Sequence, residues 1–353
     1  MASSFYDPST FDKKWAYEFL EAVETTTGQE AFDGIRYDNA MHLALRLGPI
    51  DRFSLTPEVF VRHIRLTETV EKRFYQKRPL SDDEMKNYLL PLRIRYEHTS
   101  KPDWRAVLSK EFEPLVSKAT TTEEAAAAIT GWMRGNLTVL GSPTTYWMPM
   151  RGDLDPLTVL RGKCGSEIDQ AIFGVAALRT VGVAARLVWS PVLRGEIGGK
   201  CWLEYLNDEH EWIPWVPSIQ EPGNHRELLA KQFGEKLVFI LANPEAPVDI
   251  TRDYVKTVEI RMSKESANLR MTVLVLGKEG LVPAFGVEES EFDSAWVFHA
   301  GRGPLFLAFS LGKVEQSLLR VVTGKDESVL EIEFKGGKPV IASRSPADLA
   351  IKE

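Results

Sequence analysis

One residue in this chain has the setting of a nucleophile. Cys164 stands in Gly162-Lys163-Cys164-Gly165-Ser166, just ahead of a helical pattern. Ile168, Ile172, Val175 and Ala176 follow at i, i+4, i+7 and i+8. That spacing marks one buried helix face. The flanking glycines permit a tight turn and close substrate approach. A cysteine at a helix entry meets partial positive charge, which favours thiolate over thiol. A thiolate can attack an acyl carbon if a base takes its proton and an acid serves the leaving group. The same residue could equally be a packing cysteine, and these residues alone leave both readings open.

Histidines are the natural bases, and six are present. His210 lies in Asn207-Asp208-Glu209-His210-Glu211, which reads as a solvated hairpin turn. His225 follows Glu221-Pro222-Gly223-Asn224, with Glu221 placed to orient it. His42, His63, His98 and His299 read as structural or surface residues. No His/Asp/Glu group has ligand spacing, so no metal and no cofactor is expected. The tryptophans nearby have two readings. Trp147, Trp202 and Trp215 could line a ligand groove, although large rings more often fill cores.

Three regions must position these residues. Residues 1–140 read mainly as helix. Phe11, Trp15 and Phe19 recur every fourth residue. Ser81 with Asp82, Asp83 and Glu84 marks a helix start, as Thr121 with Glu124 does ahead of an alanine-rich helix. Residues 141–248 form the central region, with a helix after Cys164 that Gly182 terminates. Strands are expected near Leu187–Ser190, Cys201–Leu206 and Trp212–Trp215. Residues 249–353 alternate as strands at Tyr254–Ile260, Leu269–Leu276 and Val329–Phe334, with a buried run at Leu305–Phe309. A small β-sandwich is predicted there.

Bulk properties narrow the function. A chain of 353 residues exceeds one ordinary core. Net charge is −7, without a basic stripe, so nucleic acid is not an expected partner. Only Cys164 and Cys201 are present, which excludes a disulfide framework but allows one bridge. No apolar run reaches membrane-spanning length. The start, Met1-Ala-Ser-Ser-Phe5, shows no leader, so a cytoplasmic location is expected, or an extracytoplasmic one if a leader was trimmed. Arg151-Gly152-Asp153 could bind integrins, though so short a match arises readily by chance.

The wider segment resembles the transglutaminase-like core. The resemblance rests on Cys164 at the helix entry, then Ala177-Leu178-Arg179-Thr180-Val181-Gly182-Val183-Ala184-Ala185-Arg186, then Trp202-Leu203-Glu204 and Trp212. It covers about residues 145 to 220. Tyr88-Leu89-Leu90-Pro91-Leu92-Arg93-Ile94, Asp103-Trp104-Arg105 and Asp249-Ile250-Thr251 are similar to multidomain bacterial members. The resemblance implies an α+β, papain-like fold with a helical N-terminal region and a C-terminal β-sandwich. It also implies a cysteine, a histidine base and an aspartate orienter.

Two of those three are replaced. Two residues before Trp202 the family carries histidine; here stands Lys200, with Cys201 between. The family's aspartate falls near Val216. Lysine with its ordinary pKa of ~10.4 is charged at neutral pH and accepts no proton, though it can stabilise a thiolate. Losing a triad member costs roughly 10⁴ to 10⁶ in rate. The reading is therefore a transglutaminase-like protein with a degenerate triad that binds a peptide, a protein or an amine-bearing small molecule. The alternatives are a non-standard cysteine acyltransferase or amidase using Cys164 with Lys200, His225 or His210, and a structural or cell-surface module.

Overall fold

The structure is a computed structural model. It describes residues 10–95, 97, 103–140, 153–196, 199–216, 225–243, 247–263, 269–278, 280–287, 295–311, 315–322, 327–335 and 338–346. The chain divides into two compact units. The first comprises residues 1–188, 201–225 and 243–247, and the second residues 189–200, 226–242 and 248–353.

The first unit opens with helices α1 (Thr10–Thr27), α2 (Gln29–Asp33), α3 (Tyr37–Leu45), α4 (Pro49–Ser54), α5 (Pro57–Val70) and α6 (Asp82–Glu84). The aromatic spacing in α1 does what it predicts: Trp15 and Phe19 stack at 4.9 Å, and Phe19 meets Phe60 of α5 edge-on. Ser81 and Glu84 form a reciprocal capping box at α6, which continues as a π-helical turn through Leu89. These elements share one core, from Ala16 to Leu92.

A second core of this unit surrounds the central helix. Helices α7 (Trp104–Phe112), α8 (Thr122–Asn136), α9 (Pro156–Gly162) and α10 (Glu167–Thr180) contribute to it. The α7 and α8 helices pack with α10, and α7 also meets α5, where His63 and Trp104 lie edge-on at 5.6 Å. Thr121 caps α8 as expected, but Glu124 reaches the N–H and hydroxyl of Thr120 instead of closing the box. The α10 helix is buried all round from Asp169 to Thr180. Its sequence suggests a single apolar face, and the structure makes it the centre of the unit.

Short strands β1 (Thr138–Val139) and β2 (Cys164–Gly165) pair in parallel. Then come β3 (Ala185–Ser190), β4 (Lys200–Leu206) and β5 (Trp212–Trp215), in the sheet order β5–β4–β3. The β4–β5 pair is antiparallel, with Leu203 opposite Trp215 and Leu206 opposite Trp212.

The ten-residue Ala177–Arg186 motif now has a physical account. Gly182 adopts φ +96, and an added Cβ would lie 2.3 Å from the Val70 carbonyl oxygen. Arg179 is buried and donates to the Ala185 carbonyl at 3.0 Å. Arg186 pairs with fully buried Glu204 at 2.7 and 2.6 Å, and its guanidinium lies 3.9 Å from the Trp212 ring centre. The motif ties the end of α10 to the sheet.

In the second unit, α11 (Arg226–Phe233) precedes β6 (Leu241–Ala242) and β7 (Val248–Asp249). Eight strands follow: β8 (Thr257–Ser263), β9 (Leu269–Gly277), β10 (Gly280–Val287), β11 (Ala295–Gly301), β12 (Pro304–Leu311), β13 (Glu315–Val322), β14 (Glu327–Lys335) and β15 (Lys338–Pro346). They form two four-stranded sheets, β10–β9–β12–β13 and β11–β8–β14–β15. Alternate residues such as Val258, Ile260, Val273, Val275, Leu305 and Leu307 fill one core. Val192, Val238 and Phe239 join that core. Segments 189–200 and 226–242 therefore belong with the sandwich, not with the central region expected at 141–248. Among the described residues no helix is long and apolar enough to cross a membrane.

Candidate active site

Cys164 is half-buried and carries a free thiol, as does Cys201. Helix α9 delivers it. Asp155 caps that helix by accepting the N–H groups of Leu157 at 3.0 Å and Thr158 at 3.2 Å. Lys163 ends it at φ 52 and ψ 27, in the left-handed region. The turn before the cysteine is thus made by a lysine. Neither flanking glycine has positive φ. Gly165 is needed for space: an added Cβ would lie 2.8 Å from the Asp169 Cβ. At Gly162 it would meet the Cys164 sulfur at an ordinary 3.7 Å.

The backbone around the thiol is held by β1. The Thr138 N–H donates to the Lys163 carbonyl and the Leu140 N–H to the Gly165 carbonyl, both at 2.9 Å. Ser166 then caps α10, and Asp169 accepts the Ser166 N–H at 2.8 Å and hydroxyl at 2.7 Å. Asp169 also accepts the Leu154 N–H at 2.8 Å. The box Ser166-Glu167-Ile168-Asp169 was legible as a capping pattern and is a positioning feature that reasoning from Cys164 alone misses. Cys164 stands two residues outside the cap. Helix dipole effects fall off within the first turn, and that turn carries Glu167 and Asp169.

The two substitute histidines are engaged elsewhere. His210 is no solvated residue: its side chain is 3% exposed. Nδ1 lies 2.9 Å from a Glu84 carboxylate oxygen and Nε2 lies 2.8 Å from the Arg78 carbonyl. Both ring nitrogens are thus engaged by partners other than Cys164. His210 adopts φ 63 at the β4–β5 turn and clamps that hairpin to α6. The hairpin end is further held by Asp208, which accepts the Thr122 N–H at 3.0 Å.

His225 is 6% exposed and folds back on the end of β5. Its N–H donates to the Pro214 carbonyl at 3.0 Å. Its Nδ1 accepts the Val216 N–H at 3.1 Å. That bond occupies the Nδ1 lone pair and puts the neutral ring's proton on Nε2. In this arrangement the ring has no lone pair with which to deprotonate a thiol. Val216 thus binds a histidine through its backbone.

The groove expectation is corrected for two of its three tryptophans. Trp202 and Trp215 are both 0% exposed. The Trp215 ring and the Leu203 side chain fill the space that Gly174 leaves on α10, where an added Cβ would lie 2.6 Å from Leu203. Neither ring offers surface to a ligand. Trp147, like Glu221, Arg151 and Gly152, lies outside the described residues. Asp153 of the Arg-Gly-Asp tripeptide is paired with Arg95 at 3.0 Å. Lys200 opens β4, with Nζ 5.6 Å from the Phe233 ring centre; both belong to the second unit, whereas Cys164 belongs to the first.

Residues 111–217 match the family model of the transglutaminase-like superfamily. This segment is a transglutaminase-like domain. It contains α8 to α10, the cysteine turn and the β3–β5 strands described above. No curated protein matches the chain. Among solved structures, the chain is similar to a protein from Cytophaga hutchinsonii provisionally assigned as a cysteine protease. Identity is 14%, with 70% of this chain and 58% of that one covered, at a TM-score of 0.30. A provisionally assigned protease from Parabacteroides distasonis gives 13%, 62%, 49% and 0.32 in the same order. Red sea bream transglutaminase gives 9%, 72%, 66% and 0.33. The matches span about half to two thirds of those chains. Likeness at this level decides neither fold nor chemistry, and the domain assignment stands on the sequence match.

Proposed function

We propose that the transglutaminase-like domain serves as a binding domain for peptide or amine-bearing ligands, with little conventional transamidase or protease activity. Cys164 is kept at the ligand site, while Lys200 stands in the place of the histidine and Val216 in that of the aspartate. One observation carries the reading: both ring nitrogens of His210 are engaged, by Glu84 and by the Arg78 carbonyl, and the His225 Nδ1 accepts the Val216 N–H. Without a base the thiol ionises only to its own extent, and without an acid the leaving amine departs unprotonated.

The test is amide turnover on a mixed peptide library with an added primary amine, read by mass spectrometry. The expected result is no turnover above that of Cys164→Ala. Robust turnover that Cys164→Ala abolishes overturns the proposal.

A further inference from the structure

The helical part of the first unit holds a separate cluster of titratable groups. A small cleft there is lined by His42, Arg46, Asp51, Lys86 and Arg93, with leucine and proline side chains as its walls. It has room for about one water-sized particle. His42 and Arg46 come from the end of α3, Asp51 from α4 and Lys86 from the turn after α6.

The charges do not cancel. Asp51 is taken on both oxygens by Arg93, one contact at 2.6 Å. Lys86 pairs with exposed Asp82 at 2.7 Å. Arg46 is half-buried, and among the described residues no carboxylate pairs with it. The Nε2 of His42 is buried and has no hydrogen-bond partner. The cleft thus joins an uncompensated guanidinium to an unsatisfied ring nitrogen.

Two occupants are chemically distinct. With His42 neutral and its proton on Nδ1, the bare Nε2 lone pair asks for a donor, which water provides. With His42 protonated, Nε2–H and the Arg46 guanidinium are both donors and ask for one acceptor. Apolar walls and water-like dimensions suit a weakly hydrated monatomic anion rather than a phosphate or a carboxylate. We propose that this cleft binds a halide-sized anion together with a proton, with His42 and Arg46 as its donors.

The electrostatics agree in sign. Burial, then Arg46, then Lys86 lower the His42 pKa to about 4, against the Lys86 carbonyl and Asp82, which favour the proton. An anion in the cleft opposes all three lowering effects. By linkage the anion raises proton affinity, and the proton raises anion affinity by the same factor.

The test follows the His42 ring by NMR in the full chain, labelled with ¹³C-histidine. Chloride is compared with a bulky organic sulfonate at equal ionic strength. The His42 midpoint is expected to rise by about one pH unit in chloride, a tenfold effect, and Arg46→Gln is expected to remove the rise. Equal midpoints in the two salts, or a rise that survives Arg46→Gln, overturn the proposal. Thermal melting of the unmodified chain near pH ~4.5, between the free and bound midpoints, gives a second reading. Higher Tm in chloride supports the proposal, and equal Tm in both salts overturns it.

Discussion

At the scale of single residues, the site is defined by what the histidines already do. His225 holds a buried N–H of Val216, and His210 bridges Glu84 to the Arg78 carbonyl. Replacing His225 by Ala leaves that N–H without its acceptor and should cost about 1–3 kcal/mol of stability. Urea unfolding measures this loss, and the rate of Cys164 alkylation should stay unchanged. A slowed alkylation would mean that His225 assists the thiol. Lys200→His should restore little turnover by itself, because Val216 offers no carboxylate to hold the new ring. The double change Lys200→His with Val216→Asp should exceed it clearly in the same peptide assay. The proposed places of Lys200 and Val216 rest on their spacing to Trp202 and Trp212. The commitments of His210 and His225 are not legible in the sequence, because each depends on a partner brought close only by the fold. Glu84 is 126 positions away from His210.

At the scale of elements, sequence and structure agree where local chemistry decides. The Ser81 cap, the stop at Gly182 and strand β5 follow from nearby residues. They part where packing decides. The α10 helix looks one-sided but is enclosed, and segments 189–200 and 226–242 join the sandwich core through Val192, Val238 and Phe239. Gly174 lets α10 approach the sheet at Leu203 and Trp215, and the Arg186–Glu204 pair joins β3 to β4. Gly174→Ala should cost about 1–3 kcal/mol by overpacking against Leu203. Glu204→Gln strands the buried Arg186 charge and should cost about 3–5 kcal/mol. Thermal or urea unfolding checks both. A neutral outcome for Glu204→Gln would show that Trp212 alone satisfies Arg186.

At the scale of the whole molecule, acid should be the chief stress. His42 in the fold has its pKa lowered to about 4 from 6.5. A lowered histidine favours the neutral ring in the fold. Its contribution is therefore full above about pH 6.5 and lost as pH falls toward 4, on the order of 3 kcal/mol. Buried His63 is shifted in the same direction, by burial first and then by Arg105. For Glu84, burial raises the pKa, but the Ser81 N–H and His210 outweigh it and hold the carboxyl low. That contribution is present above the ordinary carboxylate range and vanishes below it. Urea midpoints measured from pH 7 downward should fall in two stages, and His42→Gln should flatten the upper one. An unchanged upper stage in His42→Gln would remove this cleft from the acid response.

In the proposed reading, Cys164 keeps its place without a working base. The most direct test is the rate of Cys164 alkylation against pH, measured with Cys201→Ala so that one thiol reports. Without assistance the rate should climb steadily, about tenfold per pH unit through neutrality, as an ordinary thiol ionises. A rate already high and level from mildly acidic pH upward would contradict the account, because it would reveal a thiolate held by a partner.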